Sequence, residues 1–235
     1  MIKFFRKIRQ RLVVENKFSK YLLYALGEII LVVIGILIAL QINNQNELRK
    51  DHNSKLKIIE YLILDLEKDI HHFKVDGIRN QKSIDFINNF LQSGAIENSS
   101  DFISLIDERY KLYPNNSKYK SITSTNQIDL LDEVTLSKLT TYYEYDYIRL
   151  NARVKDSDNI TIKIEEFIVN ELPKHPTTNN DENFNAEVNT VLARDEVYNL
   201  FIMSSNYRKD LNELMKSTQK KAEQLVIELN QITKD

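Results

Sequence analysis

The chain has 235 residues, with 32 Lys/Arg against 34 Asp/Glu for a formal charge of −2, four histidines and no cysteine. The absence of cysteine excludes disulfides, thiol catalysis, thiolate zinc sites and iron–sulfur clusters, but assigns no redox compartment. Only four glycines and three prolines disfavour Gly-rich phosphate loops and turn-rich β architectures, so the composition predicts an all-α chain.

The first 20 residues, MIKFFRKIRQRLVVENKFSK, carry seven Lys/Arg against one acid, Glu15. Ile2, Phe5, Ile8 and Leu12 recur at helical spacing, which predicts a basic amphipathic segment able to lie among anionic lipid headgroups. Residues 21–42, YLLYALGEIILVVIGILIALQI, then run apolar to Leu40 except for Gly27, Gly35 and the single carboxylate Glu28. About 20 such residues at roughly 1.5 Å each match a hydrocarbon core of about 30 Å, which predicts a transmembrane helix. The run is too long, and too poor in a small-residue cleavage site, for a removed signal peptide, so an uncleaved signal anchor is expected. Basic residues are denser before the span than after it, where residues 43–60 hold four Lys/Arg beside three acids. That asymmetry places the N-terminus in the cytoplasm and residues 43–235 outside. Within the span, Gly27, Leu31, Gly35 and Ala39 form an i+4 stripe adjoining Glu28, and Gly35-x-x-x-Ala39 is a small-xxx-small pair. Such a face lets a second helix approach closely, so Gly27, Glu28, Gly35 and Ala39 are the candidate contacts with another membrane protein or a second copy.

MIKFFRKIRQ, ENKFSKYLLYALGEIILVVIGILIALQINN and the following NELRK resemble the opening of a large family of short single-pass membrane proteins of Gram-negative bacteria, a domain of unknown function. The resemblance is dense over residues 1–50, and looser in SITSTNQIDLLDEVTLSKLTTYYEYDY (121–147). Members often have Trp where this chain has Gln45, so the aromatic interface anchor is lacking here. The resemblance implies a membrane anchor, here in a bacterial inner membrane with the bulk periplasmic, and helical content. It implies no activity.

Beyond the span, Leu56, Ile59, Ile63, Leu66, Ile70 and Phe73 alternate three and four apart, and the register resumes at Ile84, Ile87 and Leu91. Ile58 and Leu62 widen the stripe beyond a two-stranded seam, favouring a bundle. Gly77 and Asn80 occupy two seam slots, which predicts a bend or a polar layer, and Gly94 is a helix stop. Ser99 or Ser100 should cap a shorter helix ending at Pro114. PNNSKYKSITSTN (114–126) reads as a loop and IDLLDE as a short helix. A third long pattern starts near Glu133, interrupted by the polar KDSDN (155–159). PKHPTTNNDENFN (173–185) reads as a surface loop, and a last helix is expected from about Ala186 to Thr233. The expected architecture is thus one transmembrane helix followed by an up-down bundle of about three long helices plus short ones, in three parts: 1–20, 21–42 and 43–235. That topology puts loop 173–185 near the membrane and the C-terminus away from it.

Candidate chemistry is sparse. Glu67 with His71 and Asp69 with His72 share helical spacing but form no HExxH or ExxH motif, and read as surface groups. The carboxylates Asp65 and Glu67 likewise read as a solvent-facing pair. In YYEYDY (142–147), Tyr143 and Tyr147 align with the core, while Tyr142 and Tyr145 should face outward as a partner surface. No catalytic residue, cofactor or metal site is expected, and the acidic soluble part, with 25 Lys/Arg against 32 Asp/Glu after Ile42, is unsuited to nucleic acid. The reading is an interaction or scaffold subunit rather than an enzyme. A sensor-like or ligand-binding ectodomain is the alternative, and an enzyme the least supported.

Overall fold

A computed structural model describes residues 18–97, 102, 104, 105, 113–171 and 182–234. The basic segment before Phe18, the Ser99/Ser100 cap and most of the loop expected at 173–185 lie outside the described residues. Every regular element among those described is helical: α1 (Phe18–Ser93), α2 (Ser117–Thr123), a 3₁₀ turn (Asn126–Leu130), α3 (Glu133–Thr140), a π-helical turn (Thr141–Asp146), α4 (Tyr147–Glu171), α5 (Glu182–Leu192) and α6 (Asp195–Ile232). The chain divides into two compact units, Met1–Lys55 and Leu56–Asp235.

In the first unit, α1 is the one helix among the described residues long and apolar enough to cross a membrane. From Leu22 to Ile42 none of its described side chains is buried. Leu23 and Leu31 are more than 70 % exposed, and Ile29, Val32, Ile36, Leu37 and Ile38 are more than half exposed.

From Leu56 onward the pattern becomes one-sided. Ile58, Ile59, Leu62, Leu66 and Phe73 are buried, in two adjoining rows that give the wide stripe a bundle requires. α1 ends where expected: Gly94 adopts a positive φ of 72° and its N–H donates to the Phe90 carbonyl at 2.8 Å, an end that glycine reaches without a Cβ clash.

Two apolar cores fill the second unit. One gathers Ile58–Phe73 of α1, the aromatic residues of 119–147, Leu150 and Val154 of α4 and Leu211–Leu229 of α6. The other joins Ile87 and Phe90 of α1, Ile160–Ile168 of α4, α5 and the start of α6, with Phe90 and Phe201 in contact at 4.8 Å. Phe102 and Leu105 belong to this second core. Between the two, each long helix contributes polar side chains that are nonetheless buried: Asn80 from α1, Ser157 and Thr161 from α4, Ser204 and Arg208 from α6. Asn80 is the polar layer expected at that seam slot. Its Nδ2 donates to the Arg208 carbonyl at 2.7 Å, and it accepts from Arg208 Nη1 at 3.4 Å. Arg208 Nη2 donates to Thr161 Oγ1 at 3.4 Å. Further links, Asn212 to Gln81, Ser205 to Asn88 and Tyr198 to the Leu91 carbonyl, run in opposite senses along α1 and α6.

Three expectations need correction. Residues 117–123, expected as loop, form α2, because Tyr119 and Ile122 are buried one turn apart and two apolar anchors suffice within a polar window. The KDSDN stretch does not distort α4. Ser157 and Thr161 enter the polar belt, with the Thr161 hydroxyl donating to the Ser157 carbonyl, and the distortion falls earlier, in the π turn. The last helix is two helices. Arg194 is extended (φ −72°, ψ 136°), and the corner carries Asn189 to the backbone of Ile96, which it meets as both acceptor (2.7 Å) and donor (3.3 Å). Asp195 and Glu196 then open α6, favourably placed at the positive end of its dipole.

A buried polar layer binds its members into one thermodynamic unit. Asn80→Leu is expected to cost about 2–3 kcal/mol by stripping Arg208 of a partner. The double variant Asn80→Leu/Arg208→Met should cost less than the sum of the single changes by more than about 1 kcal/mol. Denaturant midpoints of the full chain in detergent, followed by circular dichroism, check this; strict additivity would contradict it.

Candidate functional site

Four sets of residues stand out by their chemistry. The first is the face of α1 singled out from the sequence. Gly35 and Ala39 are exposed, and a Cβ built on Gly27 or Gly35 would meet nothing within 4 Å. Glu28, one residue from Gly27, is half-buried. The stripe is therefore open to close approach by another helix over its whole length.

The second is the aspartate–tyrosine cluster. Asp69 is fully buried. Its Oδ1 accepts from the Asn115 backbone N–H at 3.0 Å and from Asn115 Nδ2 at 2.7 Å, and its Oδ2 accepts from the Tyr142 hydroxyl at 3.0 Å. One turn earlier, Asp65 accepts from the Lys118 N–H at 3.4 Å. No side chain caps α2 from its own N-cap position; Asp65 supplies that function across the fold, accepting from the first turn of α2, while Asp69 fixes Asn115, the residue before the N-cap. Tyr143 donates to the Asn115 carbonyl at 3.2 Å and stacks on Tyr119 at 4.8 Å. Burial raises the Asp69 pKa most strongly, against the lowering effects of Asn115, Tyr142 and His72. Burial and the Asp69 charge also push the hydroxyls of Tyr142, Tyr143 and Tyr147 far up, so all three stay protonated.

This corrects the placement of Tyr142. It is buried, not a partner surface, whereas Tyr145 is 66 % exposed, as expected. The reason is the π turn. The Tyr147 N–H donates to the Tyr142 carbonyl five residues back, and this wider turn aligns two residues that an ideal α-helix would set about 140° apart. Their rings meet edge-on at 5.9 Å. Asp65 and Asp69 are corrected as well: both are buried, while Glu67, His71 and His72 are exposed. No group of three or more His, Cys, Asp or Glu that could hold a metal occurs among the described residues.

The third set is the Asn80–Thr161–Arg208 belt. Its arginine carries a legible signal: continuing the four-three register of Leu211, Met215 and Thr218 one step toward the N-terminus lands on Arg208. Asp65 and Asp69 carry a similar one, since they sit three residues beyond the core positions Leu62 and Leu66.

The fourth is a cleft of about 220 Å³ where the π turn meets α6, with Lys138, Thr141, Asp146, Lys221, Leu225 and Glu228 among its lining. Two ion pairs bound it: Lys221 Nζ to Asp146 Oδ1 at 2.6 Å and Lys138 Nζ to Glu228 at 2.7 Å. The Lys138 ammonium holds the Glu228 carboxyl below its ordinary range. Periodicity gives no sign of this cleft, because it depends on the extra residue of the π turn.

No family model matches the chain, and no curated protein or solved structure is significantly similar to it.

An Asp whose pKa is raised on folding binds its proton more tightly folded than unfolded. Its contribution to stability is therefore full below the unfolded value of 3.8 and is lost as pH rises through the folded pKa. Asp69→Asn keeps an acceptor for Asn115 and should flatten this part of the pH dependence. Its melting temperature should gain on the parent's as pH is raised from about 4 toward 7. Asp69→Ala strands three donors and should cost about 3 kcal/mol or more. Parallel pH dependences for the parent and Asp69→Asn would refute the assignment.

Proposed function

We propose that the protein is a single-pass bacterial inner-membrane protein whose N-terminus is cytoplasmic and whose helical domain, an up-down bundle, stands in the periplasm as an interaction or scaffold subunit. The observation that carries the reading is the apolar surface of α1 from Leu22 to Ile42, exposed on all sides, which is stable in hydrocarbon and not in water. The seven basic residues of 1–20 support the orientation, and the resemblance of residues 1–50 to the single-pass family adds to it. The opposite running of the α1–α6 contacts supports the bundle topology. Within the domain, the most deeply buried carboxylate among the described residues, Asp69, is consumed by structural hydrogen bonds, which favours interaction over catalysis. The contact proposed is in the membrane, through Gly27, Glu28, Gly35 and Ala39, with another membrane protein or a second copy.

Fusions and crosslinking test this together. Alkaline phosphatase joined after residue 46 should be active, and joined at residue 17 inactive; the reverse pattern would overturn the orientation. A crosslinked partner recovered from native membranes should be retained by the parent and reduced about tenfold by Gly35→Leu, because a leucine there separates the helices. Full retention in that variant would remove this face as the contact.

A further inference from the structure

α4 has two stripes. One faces the core, where Leu150, Val154, Ser157 and Thr161 are buried. On the opposite side of the helix Ile148, Ala152, Lys155, Asn159, Ile162 and Glu166 are exposed. They alternate four and three apart, which is a heptad seam turned to solvent. Tyr145, three residues before Ile148, extends it; the two are 66 % and 59 % exposed. The charges beside this seam are sorted by edge. Glu144 and Asp158 lie along one edge, and Arg149 and Lys163 along the other. Each basic residue follows its acidic one by five positions, and the second pair repeats the first two heptads later. Five is the offset at which flanking residues of two parallel helices meet across a seam. The other two slots at that offset, Asn151 with Asp156 and Glu165 with Asn170, bring no like charges together. An antiparallel pairing would set Glu144 against Glu165.

We infer that this face of α4 pairs with the same face of a second copy, the two helices parallel, in register and related by a two-fold axis running along them. Glu144 then faces the partner's Arg149 and Asp158 the partner's Lys163, and the symmetry makes each pair twice. Ile148 and Ile162 meet their own copies, and Ala152 lets the helices approach between them. Asn159 also meets itself, a polar layer of the kind that fixes register in two-stranded pairs at a cost in stability. Lys155 against Lys155 is the one repulsive layer, so the pair is weak and reversible. The self-complementary charges are what commit the face to a second copy, because an unrelated partner has no need of a pattern that matches itself across a two-fold axis. This inference goes beyond the membrane contact proposed above and uses none of its residues.

Single cysteines in the otherwise cysteine-free full chain, oxidised in native membranes, test it. A disulfide-linked dimer should form about tenfold faster from Ala152→Cys and from Asn159→Cys than from Glu67→Cys or Glu213→Cys, which are exposed on α1 and α6. Adding Arg149→Glu to Ala152→Cys should slow it about tenfold, since two attractive pairs become repulsive. Adding Glu144→Arg as well should restore the rate, because the reversed pair is again opposite in sign. Lys155→Leu should raise it. All these positions are exposed, and the restoring variant shows directly that the fold survives the charge changes. Equal rates at 152 and 213, indifference to Arg149→Glu, or no recovery in the charge-reversed variant would overturn the proposal. So would a disulfide to a different protein in place of the dimer.

Discussion

A helix that is apolar on every side cannot stay in water, and α1 meets that constraint along one part of its length only. From Leu22 to Ile42 none of its described side chains is buried. From Leu56 the same helix presents apolar residues to one side, where they are covered by α4, α6 and the aromatic residues between them. Burial of a leucine or isoleucine is worth roughly 1.5–3 kcal/mol. Every uncovered residue of the first stretch therefore forfeits that amount unless lipid or another helix supplies the cover. The chain's charge follows the same division, basic before Tyr21 and acidic after Ile42.

Polar groups decide how the second unit is arranged. Apolar heptad seams tolerate sliding, because one turn of leucines packs much like the next. A buried arginine whose carbonyl and guanidinium both engage Asn80 does not slide without losing its partners. The same holds for Asp69, whose three donors come from Asn115 and Tyr142 and tie α2 and the π turn to α1. These contacts carry a desolvation cost that apolar replacements would avoid, and what they return is one register rather than several.

The helices, their one-sided stripe, the Gly94 stop and the polar slot at Asn80 are all legible in the sequence because each rests on periodicity or on local backbone chemistry. The rest escapes for identifiable reasons. Tyr142 is misplaced by any argument at 100° per residue, since the π turn changes the period beneath it. α2 is hidden because Tyr119 and Ile122 are its only buried residues and its first turn is capped by Asp65, 53 residues away in the chain. The corner at Arg194 escapes because the apolar register runs straight through it, with Val191, Leu192 and Val197 all buried. The Asp146–Lys221 cleft needs both the π turn and the facing helix, and neither alone marks it.

In the proposed reading, α1 changes environment along its length, from lipid to a covered protein core. Because the chain has no cysteine, single cysteines can be placed at successive positions from 22 to 75 and spin-labelled in nanodiscs without background. Collision with oxygen against a water-soluble nickel complex then reports the surroundings of each residue. High oxygen and low nickel accessibility are expected at every position from 22 to 40. From residue 56 an oscillation of about 3.6 residues is expected, with minima at Ile59, Leu62, Leu66 and Phe73. High nickel accessibility throughout 22–40, or a helical oscillation there with one protected face, would contradict that reading.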